Sequence, residues 1–308
     1  MMFDYVIIVK SKTRLEVLIE RFNTKSQAKF FIENSGGSFE DYVVEDMVFK
    51  RALEYLQTNL ARIIKNKTID REYLPSYLFS KKHIILVLGR DGLVANTAKY
   101  SKGQPIVAVN PDDQRYDGVL LPFNISSAVN GVEKLLSGQA KIKTLRFAEA
   151  KMNDGQRILG FNDLFIGPAS HVSARYRIAF NNHVEEHSSS GVIVSTRAGS
   201  TGWLSSIFNM AYGMVNIFEQ NITLKQPRLA ENQLLFSVRE PFQSVRTQIG
   251  ITSGIIEEGT KLTLESFMPT NGVIFSDGIE NDFIKFNSGA ITTISLAEEK
   301  TNLVLNNK

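Results

Sequence analysis

The chain is predicted to fold as an α/β N-terminal domain with a parallel, doubly wound sheet, followed by a β-rich, β-sandwich-like C-terminal domain. Three observations lead there. Before Gly138, continuous apolar runs (YVIIV at Tyr5–Val9, HIILVLG at His83–Gly89, PIVAVN at Pro105–Asn110) alternate with segments of helical spacing. Strands covered on both faces read as unbroken apolar runs, and strand–helix alternation implies a parallel sheet. After Gly138 the pattern changes: SARYRIAF places Ala174, Tyr176, Ile178 and Phe180 on one face and Arg175 and Arg177 on the other, the period of a half-exposed antiparallel strand.

Taken in order, Tyr5–Val9 is the first strand. TRLEVLIERF and KSQAKFFIEN are helical, with Leu15, Val17, Leu18 and Phe22 at apolar positions. A longer helix is predicted from Glu40 to Ile63, with Met47, Leu53 and Leu56 on or near its core-facing stripe and mixed charges on a solvated face. Two further buried strands follow at residues 83–89 and 105–110. Beyond Gly138, GVIVST, QLLFSV, KLTLESF, GVIFS and AITTISL continue the strands, separated by Gly, Asn and Asp turn signals. The boundary near Gly138 divides the chain into domains 1–138 and 139–308, with the last strand or helix free to return to the first domain. No Pro- or Ser-rich spacer, internal repeat or low-complexity tract interrupts this order.

A chain of 308 residues with 43% hydrophobic and 22% charged residues can bury a sizeable soluble core. A net charge of +3 suits an anionic small ligand and lacks the basic stripe of a nucleic-acid binder. Cysteine is absent, which removes disulfides, thiolate nucleophiles and Cys-based zinc sites. MMFDYVIIVKSK carries an aspartate where a signal peptide needs basic residues, and no apolar run approaches a membrane span. A cytoplasmic protein without a membrane partner is expected.

Two segments can carry chemistry. In ILVLGRDG a buried strand ends at Gly89, and Asp91 sits between Arg90 and Gly92 before a helix-compatible segment. Open α/β sheets bind ligands at the carboxyl ends of their strands, where glycines let backbone N–H groups approach an anion and the following helix adds its positive end. A carboxylate there either serves as a base or metal ligand beside phosphates, or caps its helix in an Asp-Gly turn. About a hundred residues on, SSSGVIVSTRAGSTGWLSS runs from a strand into a loop of small and hydroxyl residues: Ser195, Thr196, Gly199, Ser200, Thr201 and Gly202, then Trp203. Such a loop offers hydrogen-bond donors that a nucleotide can approach closely, and Trp203 can cover an aromatic ring; the alternative is a polar surface loop beside a core tryptophan.

In combination, GRDG, the later Asn162-Asp163 pair, GVIVSTRAGSTGW and FSDG at Phe275–Gly278 resemble the NAD kinase family, whose pattern is GGDG, then Asn-Glu, then a segment close to DG-x-I-V-S-T-P-T-G-S-T-A-Y, then Asp-Gly. VAVNPDDQRYDGVLLPF stands where that family has its Gly-Ile-Asn…Gly-Phe-Leu stretch. The likeness runs from about Ile84 to Leu296. It implies an NAD kinase-like fold with the active site in a cleft between the domains, and ATP-dependent phosphorylation of NAD at the adenosine ribose 2′-hydroxyl. Asp91 would be the catalytic base. Gly89, Arg90, Gly92 and Asn110 would lie at the nucleotide phosphates. Asn162, Asp163, Ser195, Thr196, Gly199, Ser200, Thr201 and Trp203 would hold the dinucleotide. ATP would act with magnesium or another divalent cation, although no metal-ligating residue is assigned, and a homodimer or homotetramer is implied.

The chain departs from the pattern at four places. Arg90 replaces a glycine and Leu93 a threonine; Ser190 replaces an aspartate; Arg197-Ala198 replaces Pro-Thr; Gly202-Trp203 replaces Ala-Tyr. Two other readings follow from them: a kinase of the wider superfamily acting on a sugar or lipid hydroxyl, and a non-catalytic dinucleotide-binding protein in which Arg90 fills the triphosphate space. HVEEH at His183–His187 matches an inverted zinc-peptidase pattern, but that pattern works on a helix. Here it follows an alternating strand and the turn pair Asn181-Asn182, so a solvated hairpin is expected. His83 and His171 have no motif partners and read as structural or surface residues. No Walker A lysine motif is present.

Overall fold

In the computed structural model, which describes residues 3–218 and 225–306, the chain divides into two units, Met1–Thr144 with Thr301–Lys308, and Leu145–Lys300. The first unit runs β1 (Tyr5–Lys10), α1 (Arg14–Phe22), α2 (Lys25–Asn34), α3 (Phe39–Leu60), β2 (Lys65–Asp70), a 3₁₀ turn at Arg71–Ser76, β3 (His83–Leu88), α4 (Asp91–Tyr100), β4 (Pro105–Asn110), β5 (Phe123–Asn124) and α5 (Ile125–Leu136).

Its sheet has the order β2-β1-β3-β4, all parallel, with Ile7 opposite Lys67 on one side and Ile85 on the other. Along the far edge of β4 runs the end of a strand at Ile291–Val304, also parallel, which pairs Asn302 with Pro105 and Leu303 with Ile106. Ala52, Leu56 and Leu60 of α3 and Ala128, Val132 and Leu135 of α5 cover one face of the sheet, against Val6, Ile8, Ile84, Leu86, Val107 and Val109. Ile7, Val9, Ile85 and Val87 are equally buried and have the opposite parity, so they face the other side. There α4 packs against β3 with Leu93, Val94, Ala95 and Ala98 buried.

Local chemistry sets the helix ends. Thr13 and Glu16 form a capping box at the start of α1, and Asn23 closes that helix in the left-handed region at φ 63°. Ser38 accepts from the Asp41 N–H to open α3. Gly131 in α5 leaves room for the Phe123 ring, whose nearest atom lies 2.6 Å from where a Cβ would stand.

Two details differ from expectation. Met47 is 43% exposed. It lies nine residues before Leu56, and at about 100° per residue that separation puts the two on opposite sides of α3. The core stripe instead runs through Phe49, Ala52, Leu53, Leu56 and Leu60. β2, KNKTID, is an edge strand with only Ile69 buried, and it lacks the apolar run by which the other strands are read.

The second unit carries most of β6 (Ile142–Met152), β7 (Arg157–Gly160), β8 (Asp163–Pro168), β9 (Ala174–Phe180), β10 (His183–Ser189), β11 (Val192–Ser195), α6 (Trp203–Phe218), β12 (Gln233–Val238), β13 (Ser253–Glu257), β14 (Leu262–Ser266), β15 (Gly272–Ser276), β16 (Phe283–Lys285) and most of β17 (Ile291–Val304). One antiparallel layer has the order β10-β9-β14-β17, and β6 pairs with β17 and β7. The other layer is β13-β12-β11-β8-β15-β16. Tyr176, Ile178, Leu262, Leu264 and Ile294 of the first meet Leu164, Ile166, Val192, Val194, Phe236 and Ile274 of the second in one buried core, which is the sandwich. On the outer face of the second layer Phe165, Ile193, Val273 and Phe275 are covered by Trp203 and Ile207 of α6.

HVEEH lies on β10, and Asn181 and Asn182 form its turn at φ 47° and 65°. The sequence predicts a solvated hairpin, but its far end is buried. The His187 side chain is fully buried beside Tyr176, and its Nε2 bonds the Glu185 carboxylate at 2.8 Å. Burial pushes the Glu185 carboxyl up, but the hydrogen bonds from His187, Ile251 and Gly250 outweigh it and hold the group below the usual glutamate value. Among the described residues no group of three or more His, Cys, Asp and Glu side chains can hold a metal, and no helix is long and apolar enough to cross a membrane.

Candidate functional site

In the first unit β3 delivers the GRDG turn to the carboxyl edge of the parallel sheet. Gly89 is buried, and its N–H donates to the Val109 carbonyl at 3.2 Å, which ties the turn to β4. Arg90 is the N-cap residue of α4 without a side-chain capping bond, and Asp91 is the first helical residue.

The Asp91 carboxylate does not cap its own helix. It reaches across to the loop after β4, where Oδ1 accepts the Leu120 N–H at 2.9 Å and Oδ2 accepts the Val119 N–H at 3.1 Å. The side chain is half-buried. An ionised carboxylate oxygen has two acceptor sites, so each oxygen keeps one for a further donor. Asn110, at the end of β4, is turned inward: its Nδ2 donates to the Tyr116 carbonyl at 2.8 Å and its Oδ1 accepts the Asp112 N–H at 3.0 Å. It shapes the loop that holds Asp91.

A cavity of about 350 Å³ opens beside the turn. Gly89, Arg90 and Gly92 line it, together with Lys12, Arg14, Glu45, Arg71 and Tyr116. Arg90 lies flat on Tyr116, with its guanidinium 4.3 Å from the ring centroid, and donates to the Tyr116 hydroxyl at 2.6 Å and to Glu45 at 3.2 Å. Lys12 is held between Glu20 and Glu72, both at 2.9 Å. None of Lys12, Arg14, Glu45, Arg71 and Tyr116 was legible as a site residue, because they lie on separate elements and belong to no motif.

In the second unit the residues singled out by sequence form one knot around Phe161–Asp163. The Asn162 carbonyl accepts the Thr196 N–H at 2.9 Å and the Ser195 hydroxyl at 3.4 Å. Thr196 Oγ1 donates to the Phe161 carbonyl at 2.6 Å and accepts the N–H groups of Ala198 and Gly199. The hydroxyls of Ser195 and Thr196 are thus buried and used inside the protein. Asp277, in the FSDG turn at φ 55°, completes the knot by accepting N–H groups from Phe161 at 3.2 Å, Asn162 at 2.6 Å and Asp163 at 3.3 Å.

What remains for a ligand is the outer layer. The Asn162 side chain has no hydrogen-bond partner among the described residues, Thr201 is exposed, and the Ser200 hydroxyl donates to the Arg197 carbonyl at 2.8 Å on the loop surface. Asp163 is buried at the start of β8. Trp203 is half-buried and already stacks on Phe165, with centroids 5.7 Å apart and planes 14° apart, under the Arg239 guanidinium. It borders a cavity of about 680 Å³ with Ser190, Arg239, Phe275 and Glu280.

Asp277→Asn tests the knot. Its one remaining carbonyl oxygen cannot serve all three donors, and its amide points more donors at them, so a loss of about 1–3 kcal/mol is expected. A urea midpoint equal to that of the parent protein would contradict this account.

No family model matches the chain. It is similar to the NAD kinase of Thermoanaerobacter sp., 28% identical over 175 residues that cover 53% of this chain and 61% of that protein. It is also similar to the NAD kinase of Clostridium kluyveri, 30% identical over 132 residues covering 40% and 45%. The matched segments span less than two thirds of these relatives' length. Among solved structures, yeast NADH kinase complexed with NADH aligns with a TM-score of 0.61 at 14% identity, covering 100% of this chain and 84% of that one. An NAD kinase from Archaeoglobus fulgidus in complex with ATP aligns with a TM-score of 0.60 at 16% identity, covering 98% and 94%. The fold is that of the NAD kinases.

Proposed function

We propose, since the chain belongs to the NAD kinase family, that it transfers the γ-phosphoryl group of ATP to the adenosine ribose 2′-hydroxyl of NAD. One observation carries this reading: Asp91 stands at the carboxyl edge of the parallel sheet, fixed by two backbone N–H groups with acceptor capacity left over, and its neighbours Arg90 and Gly92 line a cavity that also holds Lys12, Arg14 and Arg71 beside Glu45 and Asp112. The relatives' names and the ATP bound in a structure of the same fold support the donor and the reaction class.

In this mechanism a free acceptor site of the Asp91 carboxylate takes the hydrogen bond of the 2′-hydroxyl. As the oxygen attacks the γ-phosphorus, the proton passes to Asp91 and the bond from the γ-phosphorus to the bridging oxygen breaks, releasing ADP. The Val119 and Leu120 N–H groups keep the carboxylate from rotating, which is the positioning such a step requires. Gly92 leaves open space beside the backbone, Gly89 ties the turn to β4, the positive end of α4 faces the same edge, and Arg90 supplies donors for phosphate oxygens. Asn162, Asp163, Ser200, Thr201 and Trp203 hold the dinucleotide, while Ser195, Thr196 and Gly199 hold the loop that presents them. A divalent cation would come with the donor's phosphates, because this protein has no ready cage of three ligating side chains among its described residues, and Asp91 is the carboxylate at hand. Its chemistry would be neutralisation of phosphate charge.

The test is direct. Purified protein with ATP and magnesium is given NAD or NADH in parallel, and NADP and NADPH are quantified. Formation of NADP supports the reading. ADP release stimulated by a sugar or a diacylglycerol, but by neither dinucleotide, would replace it with the superfamily alternative.

A further inference from the structure

The cavity beside the GRDG turn contains an anion of the protein's own. Glu45 sits in the second turn of α3, its carboxylate only 11% exposed, and three arginines from three different segments converge on it. Arg14 at the start of α1 bonds it through Nε and Nη2. Arg90 donates at 3.2 Å, and Arg115 of the loop after β4 approaches at 3.7 Å. The arginines are not sealed in: the side chains of Arg14 and Arg90 remain 44% and 53% exposed, and Arg71 lines the same cavity with no carboxylate partner among the described residues. Arg115 also reaches Asp112 at 3.5 Å and donates to the Asp41 carbonyl, and Arg90 donates to the Tyr116 hydroxyl, yet with five N–H groups on each guanidinium several donors are left over and the cations outnumber the carboxylates. Surplus charge and surplus donors around an open cavity of about 350 Å³ match a ligand with several anionic oxygens in a row, which planar guanidinium forks recognise well.

We propose that Glu45 is a resident competitor for an oligophosphate: an incoming chain of phosphates takes Arg14, Arg90 and Arg115 from Glu45, with Arg71 completing the cation set. This rests on the phosphoryl-transfer reading and names the residue that sets affinity for the donor. It also assigns a role to Arg90, the departure from the glycine of the resembled motif. In this structure Arg90 is parked on Tyr116 and Glu45, and it swings to the ligand when the carboxylate is displaced. Glu45 is therefore a positioning residue that acts through the arginines.

The experiment uses the full chain and inorganic tripolyphosphate, followed by calorimetry at two salt concentrations. Glu45→Gln keeps the shape of the side chain and removes the charge that competes. It is expected to bind tripolyphosphate about 5- to 20-fold more tightly than the parent, with a steeper loss of affinity as salt rises. Unchanged or weaker binding by a Glu45→Gln protein with a native circular dichroism spectrum overturns the proposal. A second measurement on the unmutated protein covers the case in which that variant does not fold. Arginine modification by phenylglyoxal, mapped by mass spectrometry, should be suppressed by tripolyphosphate at Arg14, Arg90 and Arg115; equal modification with and without tripolyphosphate overturns it. Because binding alone is read, a chain that binds tripolyphosphate in this way but makes no NADP loses only the acceptor assignment. A chain that makes NADP with Glu45 inert loses only this proposal.

Discussion

Asp91→Asn should lower the rate of NADP formation by about 10²- to 10⁴-fold at saturating ATP and NAD, the range by which a positioned proton acceptor speeds such steps. The substitution is not silent in the fold. Asparagine keeps one carbonyl oxygen for Leu120 or Val119, but its amide must then face the other N–H donor, where the parent carboxylate accepts both. About 1–2 kcal/mol of stability is expected to go with it. The two effects separate by temperature: activity is compared well below the lower melting point, where both proteins are folded. A rate within threefold of the parent under those conditions would remove Asp91 from the chemistry and leave it as a tie for the loop at residues 118–121.

Gly199→Ala is predicted to damage the second unit more than any substitution of the surrounding hydroxyls. A Cβ on residue 199 would stand 2.1 Å from the Asn162 carbonyl oxygen and 2.6 Å from its carbon, both main-chain atoms that have no rotamer to change. The same carbonyl accepts from Thr196 and Ser195, and the Asn162 N–H is held by Asp277, so relief means pulling the knot apart. Overpacking of this kind costs about 1–3 kcal/mol, and more where the neighbour is fixed. Affinity for NAD should fall further than overall stability, because Asn162 and Thr201 are carried on the two strands of chain being pushed apart. Thermal melts read beside dinucleotide titrations decide it; an alanine variant with parental affinity for NAD would show that this loop does not present the ligand-binding residues.

The parallel sheet is legible because β1, β3 and β4 are unbroken apolar runs, unlike the edge strand β2, and the β9–β10 hairpin because Asn181 and Asn182 tolerate the left-handed conformation that its turn demands. α6 was read only as a continuation of a polar loop. Its sequence WLSSIFNMAYGMVNIF begins directly on the end of the hydroxyl-rich loop and buries only Leu204 fully among its described residues, so nothing in it marks where the loop stops. α5 lay within reach, having a well-formed apolar stripe, but the segment before it was read for its motif rather than its spacing. At the site, residue identity marked Asp91, Thr196 and Gly199 without telling which of them face outward. Thr196 and Ser195 turned out to be spent on the backbone of Phe161 and Asn162. The arginine cluster around Glu45 was beyond reach, since Arg14, Glu45, Arg90 and Arg115 meet only through tertiary packing.

The strand at Ile291–Val304 has a consequence for biogenesis. Its last residues, Thr301–Val304, form the edge of the first unit's sheet beside β4, some two hundred positions after β4 itself. During translation the helices and first strands of that unit leave the ribosome early, and β5 pairs with Val109 and Asn110, yet the Pro105–Ile106 end of the same strand stays unpaired while roughly 190 further residues are made, about 10–40 s at 5–20 residues per second. Over that interval an apolar border is open to pairing with other nascent chains. Slow elongation or a truncated message would therefore harm the N-terminal half of the protein, although every residue of that half had already been synthesised.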